Sequence, residues 1–345
     1  MRKFAIAAAI SVLSASVWLG AAPSASAWPS FATAYDQARD SAGKIVCANC
    51  HLGAAPTEVE FPNSVMPGDV FEVKVKVPYD AKVQEVGGGD GKPVGIQVGA
   101  YVQLPPGFRL AEEKELNEEQ KKLLESQPVG LLYDGTNPKH PKQDNILTVG
   151  PLPGDTVKDQ EIVIPVKAPD PNAKDAKIKF GKYSIYVGGN RGRGQVYSNG
   201  VSSNNVVYTS PAAGTISKVE TGIKFKANLQ FGGGSEPVET EYENGVRVTV
   251  QGDNGKSAVI EIPPGPKLLD TTKVGAKVKA GQELTNNPNV GGYGAEEKDI
   301  VLQDSQRVVW VLVTLALAFV CQLLLVLKKK QVERVQEYEA QQQGL

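Results

Sequence analysis

The feature that most constrains the fold lies near the C-terminus, where 20 consecutive residues carry no formal charge. This run, VVWVLVTLALAFVCQLLLVL, extends from Val308 to Leu327 and is interrupted only by the polar residues Thr314 and Gln322. About 20 apolar residues are what a helix needs to cross a bilayer. The sequence therefore predicts one transmembrane helix. A buried core helix is the alternative, and the short segment that follows the run argues against it.

Three lysines, Lys328, Lys329 and Lys330, follow the apolar run directly. Basic residues beside a transmembrane segment hold that end on the cytoplasmic side. We therefore expect the bulk of the chain, from Trp28 to Asp304, to lie outside the cytoplasm.

The N-terminus has the features of a secretory signal. Arg2 and Lys3 precede an apolar stretch without acidic residues, which ends in the small residues Ala25-Ser26-Ala27. This order is typical of a signal peptide with an A-x-A cleavage site, so the mature chain is predicted to begin at Trp28. An uncleaved membrane anchor is the alternative.

Between the two ends, the sequence predicts a mainly β fold. The chain contains 36 glycines and 23 prolines, which separate short apolar runs that alternate with polar residues. Such runs are typical of antiparallel strands with one wet face. The clearest are VFEVKVKV at 70–77, PVGIQVGAYVQL at 93–104, EIVIPVKAP at 161–169 and KYSIYVGG at 182–189. Together they favour an antiparallel β-sandwich with one charged helical insertion at 112–127.

The formal net charge of -1 excludes one broad class of function. A nucleic-acid-binding protein usually carries a concentrated basic surface. The sequence has no such cluster, and we expect no nucleic acid among its partners.

The stretch KIVCANCHLG at 44–53 carries the clearest chemical motif. Cys47, Cys50 and His51 have the C-x-x-C-H spacing of covalent haem c attachment, in which two thiols bind the haem and the histidine ligates the iron. A redox dithiol, half of a zinc site and a structural disulfide are the alternatives. The adjoining histidine and the predicted export both favour haem.

The sixth ligand of the iron would decide whether the site carries electrons or binds substrates. His140, Met66 and the α-amino group freed at Trp28 are the candidates. A neutral amine is accessible because the pKa of an α-amino group is about 7.7–8.0. Spacing alone does not select among the three.

Two further segments suggest a small second domain. PAAGTISKVETG at 211–222 and KVGAKVKAGQEL at 273–284 look like the halves of a biotinyl/lipoyl-type barrel sandwich. No Met-Lys-Met or Asp-Lys-Ala carrier motif lies between them, so we expect a structural domain and not a swinging-arm carrier. The stretch GGNRGRGQ at 188–195 lacks the G-x-G-x-x-G spacing of a nucleotide loop and is interpreted as a turn.

The sequence as a whole resembles the cytochrome f family, the c-type subunits of the photosynthetic cytochrome b6f complex. The resemblance covers essentially the whole chain in order and includes the terminal span. Its most specific segments are WPSFATAYDQARDSAGKIVCANCHLG at 28–53, GGNRGRGQVY at 188–197 and LTNNPNVGGYG at 284–294.

The resemblance implies roles for individual residues. The sixth ligand would be the α-amino group of the first mature residue, usually tyrosine in the family and Trp28 here, and Pro29 and Phe31 would shape the haem crevice. A buried chain of waters would be lined by Asn190, Gln195, Asn205, Asn286 and Asn289, which from the residues alone are interpreted as turn formers.

The resemblance also implies a domain order. Residues 1–27 would be a cleaved signal, 28–205 and 286–304 the large haem domain, 206–285 an inserted small domain, 305–328 the transmembrane helix and 329–345 a cytoplasmic or stromal tail. The bulk would lie in the thylakoid lumen or the periplasm. A thylakoid membrane is favoured, and the plasma membrane is the alternative.

The implied function is transfer of single electrons, without bond chemistry, from the Rieske iron-sulfur protein to plastocyanin or a soluble cytochrome c. Cytochrome b6 and subunit IV would be the other partners. A membrane-anchored haem enzyme with an open sixth position is the first rival, although the two histidines of the chain offer few acid-base groups. A structural subunit with a disulfide at C-x-x-C is the second.

Overall fold

The structure, a computed structural model, describes residues 46–135, 141–174, 176, 178–230, 236–253, 255–342 and 344. The signal segment, Trp28, Pro29, Phe31 and His140 lie outside the described residues.

The larger part of the fold contains two β-sheets. The first has the strand order β1-β3-β10-β7 and the second the order β2-β16-β11-β6-β9-β8. Neighbouring strands are antiparallel, except that β16 and β2 are parallel. The strands are β1 (Glu58–Glu60), β2 (Ser64–Val65), β3 (Val70–Lys76), β6 (Gln97–Gln103), β7 (Arg109–Leu110), β8 (Val129–Leu131), β9 (Ile146–Pro153), β10 (Glu161–Lys167), β11 (Gly181–Arg191) and β16 (Gly292–Leu302).

The hydrophobic core of this part is built from alternating residues of both sheets. Val75 and Ile164 of the first sheet and Val102 and Ile185 of the second are fully buried members of one apolar cluster. Full burial of such a side chain stabilises a fold by about 1.5–3 kcal/mol. The predicted strands at 70–77, 93–104, 161–169 and 182–189 are confirmed, with a break at Ile96 between β5 (Pro93–Gly95) and β6. A two-stranded sheet joins β4 (Gln84–Val86) to β5.

The charged insertion at 112–127 is helical, as predicted. It contains a short 3-10 helix, Glu113–Glu115, and the helix α1, Glu118–Ser126. Asn117 caps α1, because its Oδ1 accepts from the Gln120 backbone N–H at 2.8 Å. Two more 3-10 helices lie at Val46–Asn49 and Lys158–Gln160.

A second, smaller sheet has the order β14-β13-β12-β15. Its strands are β12 (Gly214–Leu229), β13 (Val238–Gly252), β14 (Ser257–Ile262) and β15 (Lys277–Val278). A separate apolar cluster with Ile216, Val250 and Ile262 buries one face of this sheet. The mainly β architecture, with several antiparallel sheets, confirms the predicted fold class.

The outer halves of β12 and β13 extend beyond the rest of this sheet. β14 pairs with β13 only from Val246 to Gln251, and β15 pairs only with Gly214 and Thr215 of β12. Residues 224–229 and 238–243 therefore form a two-stranded extension, here called the ribbon. Irregular pairing between Thr221 and Phe225 marks where the ribbon begins.

The chain ends in the long helix α2, Ser305–Gln342. At 1.5 Å per residue, its 38 residues span about 57 Å, which exceeds the apolar thickness of a bilayer. The Asp304 carboxylate accepts from the Gln306 backbone N–H at 2.9 Å at its start. Among the described residues, α2 is the one helix long and apolar enough to cross a membrane, and its most apolar segment is not buried in the protein. The predicted apolar helix is confirmed, and it continues beyond the predicted end at residue 328.

Candidate haem site

The C-x-x-C-H motif folds into a tight turn. The backbone N–H groups of Cys50 and His51 both donate to the Cys47 carbonyl, at 3.2 and 3.0 Å. This 3-10 geometry places Cys47, Cys50 and His51 along one cavity of about 560 Å³. A cavity of that size is in the range of cofactor sites.

The Cys47 thiol is buried against an apolar cluster that includes Tyr101, Tyr186 and Tyr293. Burial raises the pKa of this thiol to about 12, and the nearby Cys50 adds to the effect. Cys47 is therefore protonated at neutral pH in the folded chain. A redox dithiol requires a thiolate, so this environment does not favour the thiol–disulfide exchange alternative.

The His51 imidazole is buried beside the two cysteines. Burial lowers the pKa of His51 to about 4, and the positive charge of Arg193 contributes. The ring is therefore neutral at physiological pH, which is the form that ligates a metal. Its Nε2 lies 3.1 Å from Asn190 Nδ2, and its Nδ1 has no hydrogen-bond partner among the described residues.

Gln195, in the segment after β11, makes hydrogen bonds to the motif and to the residue that follows it. Its backbone N–H donates to the Cys50 carbonyl at 2.7 Å, and its Oε1 accepts from the Leu52 N–H at 2.6 Å. Its Nε2 donates to the Arg193 carbonyl at 3.1 Å. A Cβ at Gly194 would lie 3.1 Å from Cys50 Cβ, so a residue without a side chain allows this close approach.

Two of the predicted water-chain residues, Asn205 and Asn289, lie close to each other near Gln195. Asn205 Nδ2 donates to the Arg193 carbonyl at 2.7 Å and lies 3.4 Å from Asn289 Oδ1. Asn205 is fully buried and its Oδ1 has no partner in the described part of the chain, whereas Asn289 is half-buried.

Asn286 occupies a different position. It is exposed, and its Oδ1 accepts from the Lys267 backbone N–H at 2.7 Å. The structure therefore gathers Asn190, Gln195, Asn205 and Asn289 near the motif, whereas the hydrogen bond of the Asn286 side chain leads to the segment before residue 268.

Two buried charged residues near the motif escaped the sequence analysis. Arg191, at the end of β11, is 2% exposed and donates to the carbonyls of Pro56 and Gly292. Its Nε has no partner among the described residues. Burial lowers the pKa of its guanidinium to about 10.

The other buried charged residue is Glu85 of β4, which is 2% exposed. Neither of its oxygens makes a well-formed hydrogen bond within the described residues. Burial raises the pKa of Glu85, and backbone N–H groups and the charge of Arg193 oppose that rise. Nothing in the local pattern VQEV distinguishes this carboxyl group from an exposed one, so its role depends on tertiary structure.

The residues of the cavity fit a covalently attached haem. Two cysteines at the attachment spacing and a neutral histidine line one largely apolar space, and the histidine Nδ1 has no partner among the described residues. Beyond this motif, no group of three or more His, Cys, Asp or Glu side chains in the described residues could hold a metal ion.

Comparison with known proteins agrees with this chemistry. A family model described as "Apocytochrome F, N-terminal" matches residues 28–192, and one described as "Apocytochrome F, C-terminal" matches residues 204–342. Cytochrome f of Gloeobacter violaceus is 58% identical over 100% of both chains. Cytochrome f of Mastigocladus laminosus is 48% identical over 92% of this chain and 87% of that protein.

Both the geometry and the comparisons identify the cofactor. A cytochrome f is a c-type cytochrome with one covalently attached haem, and Cys47, Cys50 and His51 provide its attachment motif here. The chain belongs to the cytochrome f family.

Proposed function

We propose that this chain passes single electrons from a Rieske iron-sulfur protein to plastocyanin or a soluble cytochrome c, within a cytochrome b6f complex that also contains cytochrome b6 and subunit IV. The observation that supports it best is the buried, neutral His51 beside two attachment thiols in one apolar cavity. The haem supplies a reversible one-electron change at iron. The protein holds it rigidly and needs no acid-base group for that task.

The second axial ligand is part of the proposal. We infer that the α-amino group of Trp28 completes the coordination and that Pro29 and Phe31 line the crevice. Two nitrogen ligands would fill the coordination of the iron and leave no position for a substrate, which suits a carrier and not an enzyme.

The polar residues near His51 have a proposed role as well. Asn190, Gln195, Asn205 and Asn289 would line a chain of ordered waters, with Asn286 at its outer end. Buried polar atoms such as Asn190 Oδ1 and Asn205 Oδ1 need partners, and ordered water commonly supplies them.

Electron transfer is tested by mixing the purified, reduced full chain with oxidised plastocyanin and, separately, with an oxidised soluble cytochrome c. Second-order oxidation of the haem by at least one acceptor is expected. In the purified complex, reduction should require the Rieske protein. An intact haem that neither acceptor oxidises would contradict the proposal.

The proposed topology places residues 28–304 in the thylakoid lumen or the periplasm and the tail from residue 329 on the cytoplasmic or stromal side. Lys328–Lys330 motivate this orientation. Protease added from the cytoplasmic side of sealed vesicles should remove only the tail. Cleavage within the β-sheet part in intact vesicles would show the opposite orientation.

A further inference from the structure

The ribbon is a two-stranded structure outside the sheet from which it extends. Two-stranded hairpins are marginally stable in water unless they pack against something else. The cluster under the base of this sheet includes Ile216 and Val250, whereas Leu229 at the far end of the ribbon belongs to none of the three apolar clusters of the described residues. Leu229 is nevertheless only 1% exposed.

The ribbon has one apolar and one charged face. Phe225, Ala227 and Leu229 alternate with exposed Lys224, Lys226 and Asn228 along β12. On the partner strand, Tyr242 is 2% exposed while Glu241 and Glu243 face solvent. Lys226 pairs across the strands with Glu239 at 2.6 Å, and Lys224 pairs with Glu243. Both lysines of the charged face are therefore paired with glutamates, and the apolar face is turned inward.

The inward face is attached to the segment that follows Gln195. Asn199 Nδ2 donates to the Asn228 carbonyl at 2.8 Å, and the Ser198 N–H donates to the Gln230 carbonyl at 3.2 Å. The Tyr242 and Tyr197 hydroxyls lie 3.5 Å apart. Because Gln195 itself binds the Cys50 carbonyl, a few residues connect the ribbon to the haem motif.

Leu229, Thr240 and Tyr242 of the ribbon line the same cavity as Cys47, Cys50 and His51. We propose that the ribbon is a wall of the haem cavity that keeps water away from the haem and thereby raises its reduction potential. The oxidised haem carries one more positive charge than the reduced form. Excluding water penalises the more highly charged state, so the wall favours uptake of the electron. The inference requires the covalent haem and does not depend on which proteins donate and accept the electron.

The proposal is tested with the double variant Leu229→Ala, Tyr242→Ala of the full-length haem protein. Its midpoint potential should fall relative to the unmodified chain, because water reaches the haem. Lys226→Ala, on the outward face of the same strand, should leave the midpoint potential unchanged. Tyr242→Phe keeps the ring and should retain the midpoint potential. If Tyr242→Phe instead lowers the potential as much as Tyr242→Ala does, the hydroxyl alone is responsible and the wall proposal is contradicted.

An unchanged potential in a double variant that retains its haem would overturn the proposal. If the potential falls in the double variant but neither plastocyanin nor cytochrome c oxidises the unmodified haem protein, the proposed electron transfer is contradicted and the wall is supported.

If the double variant loses its haem, amide hydrogen exchange decides the question without altering the ribbon. The unmodified haem protein is compared with the Cys47→Ser, Cys50→Ser variant, which cannot attach haem. Residues 225–229 and 238–242 should exchange more slowly in the haem protein, because the haem completes the surface on which they pack. Equal exchange in the two proteins would overturn the proposal.

Discussion

The core between the two large sheets and the region around the C-x-x-C-H motif, here called the haem end, differ in the polarity of their buried side chains. In the core, side chains such as Val73, Ile162 and Leu147 are fully buried and apolar. At the haem end, buried side chains keep polar atoms without a hydrogen-bond partner in the described residues. These atoms are Asn49 Nδ2, His51 Nδ1, both Glu85 carboxylate oxygens, Asn190 Oδ1, Arg191 Nε and Asn205 Oδ1.

Each unsatisfied buried polar group costs about 1–3 kcal/mol. A fold can bear several of them only if another region supplies a surplus of stability, and here the apolar core between the two large sheets does so. This difference indicates that the core and the haem end have different roles. The core stabilises the domain, and the haem end presents buried polar atoms that have no partner among the described residues. Substitutions should therefore separate stability from cofactor chemistry.

The largest expected effect is at the attachment thiols. Cys47→Ser together with Cys50→Ser should abolish covalent haem attachment completely, because no thiol remains in the motif. Haem-dependent staining of the denatured protein on a gel measures this directly. Cys321→Ser, which removes a thiol from α2 and not from the motif, is the matched control and should keep full staining.

A core substitution should have the opposite profile. Ile164→Ala removes a fully buried side chain between the sheets and should destabilise the domain by about 2–5 kcal/mol. The midpoint potential should stay unchanged in the protein that remains folded. Val163→Ala, one residue away on the less buried face, should cost less in denaturant unfolding. If Ile164→Ala changed the midpoint potential as well as the free energy of unfolding, the core and the haem end would not be independent.

Gln195 is buried like the core residues, but it lies at the haem end, where it makes hydrogen bonds to the C-x-x-C-H motif. Gln195→Met should cost about 1–3 kcal/mol because the Leu52 N–H loses its acceptor. The exposed Gln84→Met should be nearly neutral. The midpoint of denaturant unfolding distinguishes them. Equal stability of the two variants would show that this hydrogen bond contributes nothing.

The smallest effect is expected at Glu85, where substitution should stabilise the protein. Because burial raises the pKa of Glu85, its folded state binds a proton more readily than the unfolded chain. Stability from this group is fully present below the ordinary carboxyl pKa and is lost as the pH rises through the raised folded value. Glu85→Gln should therefore flatten the pH profile of the melting temperature and raise that temperature at pH 7.

The control for Glu85 is Gln84→Glu, which places the same carboxyl group on the exposed face of β4. It should leave the melting temperature at pH 7 unchanged. A Glu85→Gln variant that is less stable than the unmodified chain at pH 7 would show that the carboxylate is ionised and well solvated by waters in the fold.

Local patterns were sufficient for much of the fold. Alternation over 70–77 predicted β3, and 20 uncharged residues predicted the apolar part of α2, because both signals depend on neighbours in sequence. The haem motif was also readable, since its chemistry requires a fixed spacing of Cys47, Cys50 and His51. The apolar spacing of Phe31, Ala34, Tyr35, Ala38 and Ala42 also predicts a short helix between residues 30 and 44, and this segment lies outside the described residues.

The rest depends on contacts between distant residues. Gly188–Arg191, interpreted as part of a turn, is the end of β11, where it pairs with β16 more than 100 residues later. No local pattern indicates the surface on which Leu229 and Tyr242 pack. No local pattern indicates that Glu85 is buried. These features become predictable only when the sheets are assembled.

The central claim is that the haem iron has no open coordination position. The most direct test is to add carbon monoxide to the reduced, purified full chain and record its absorption spectrum. The account predicts a low-spin spectrum that carbon monoxide leaves unchanged, because His51 and the proposed amine ligand of Trp28 would leave no coordination position open. A spectrum that shifts readily on addition of carbon monoxide would show an open iron and contradict it.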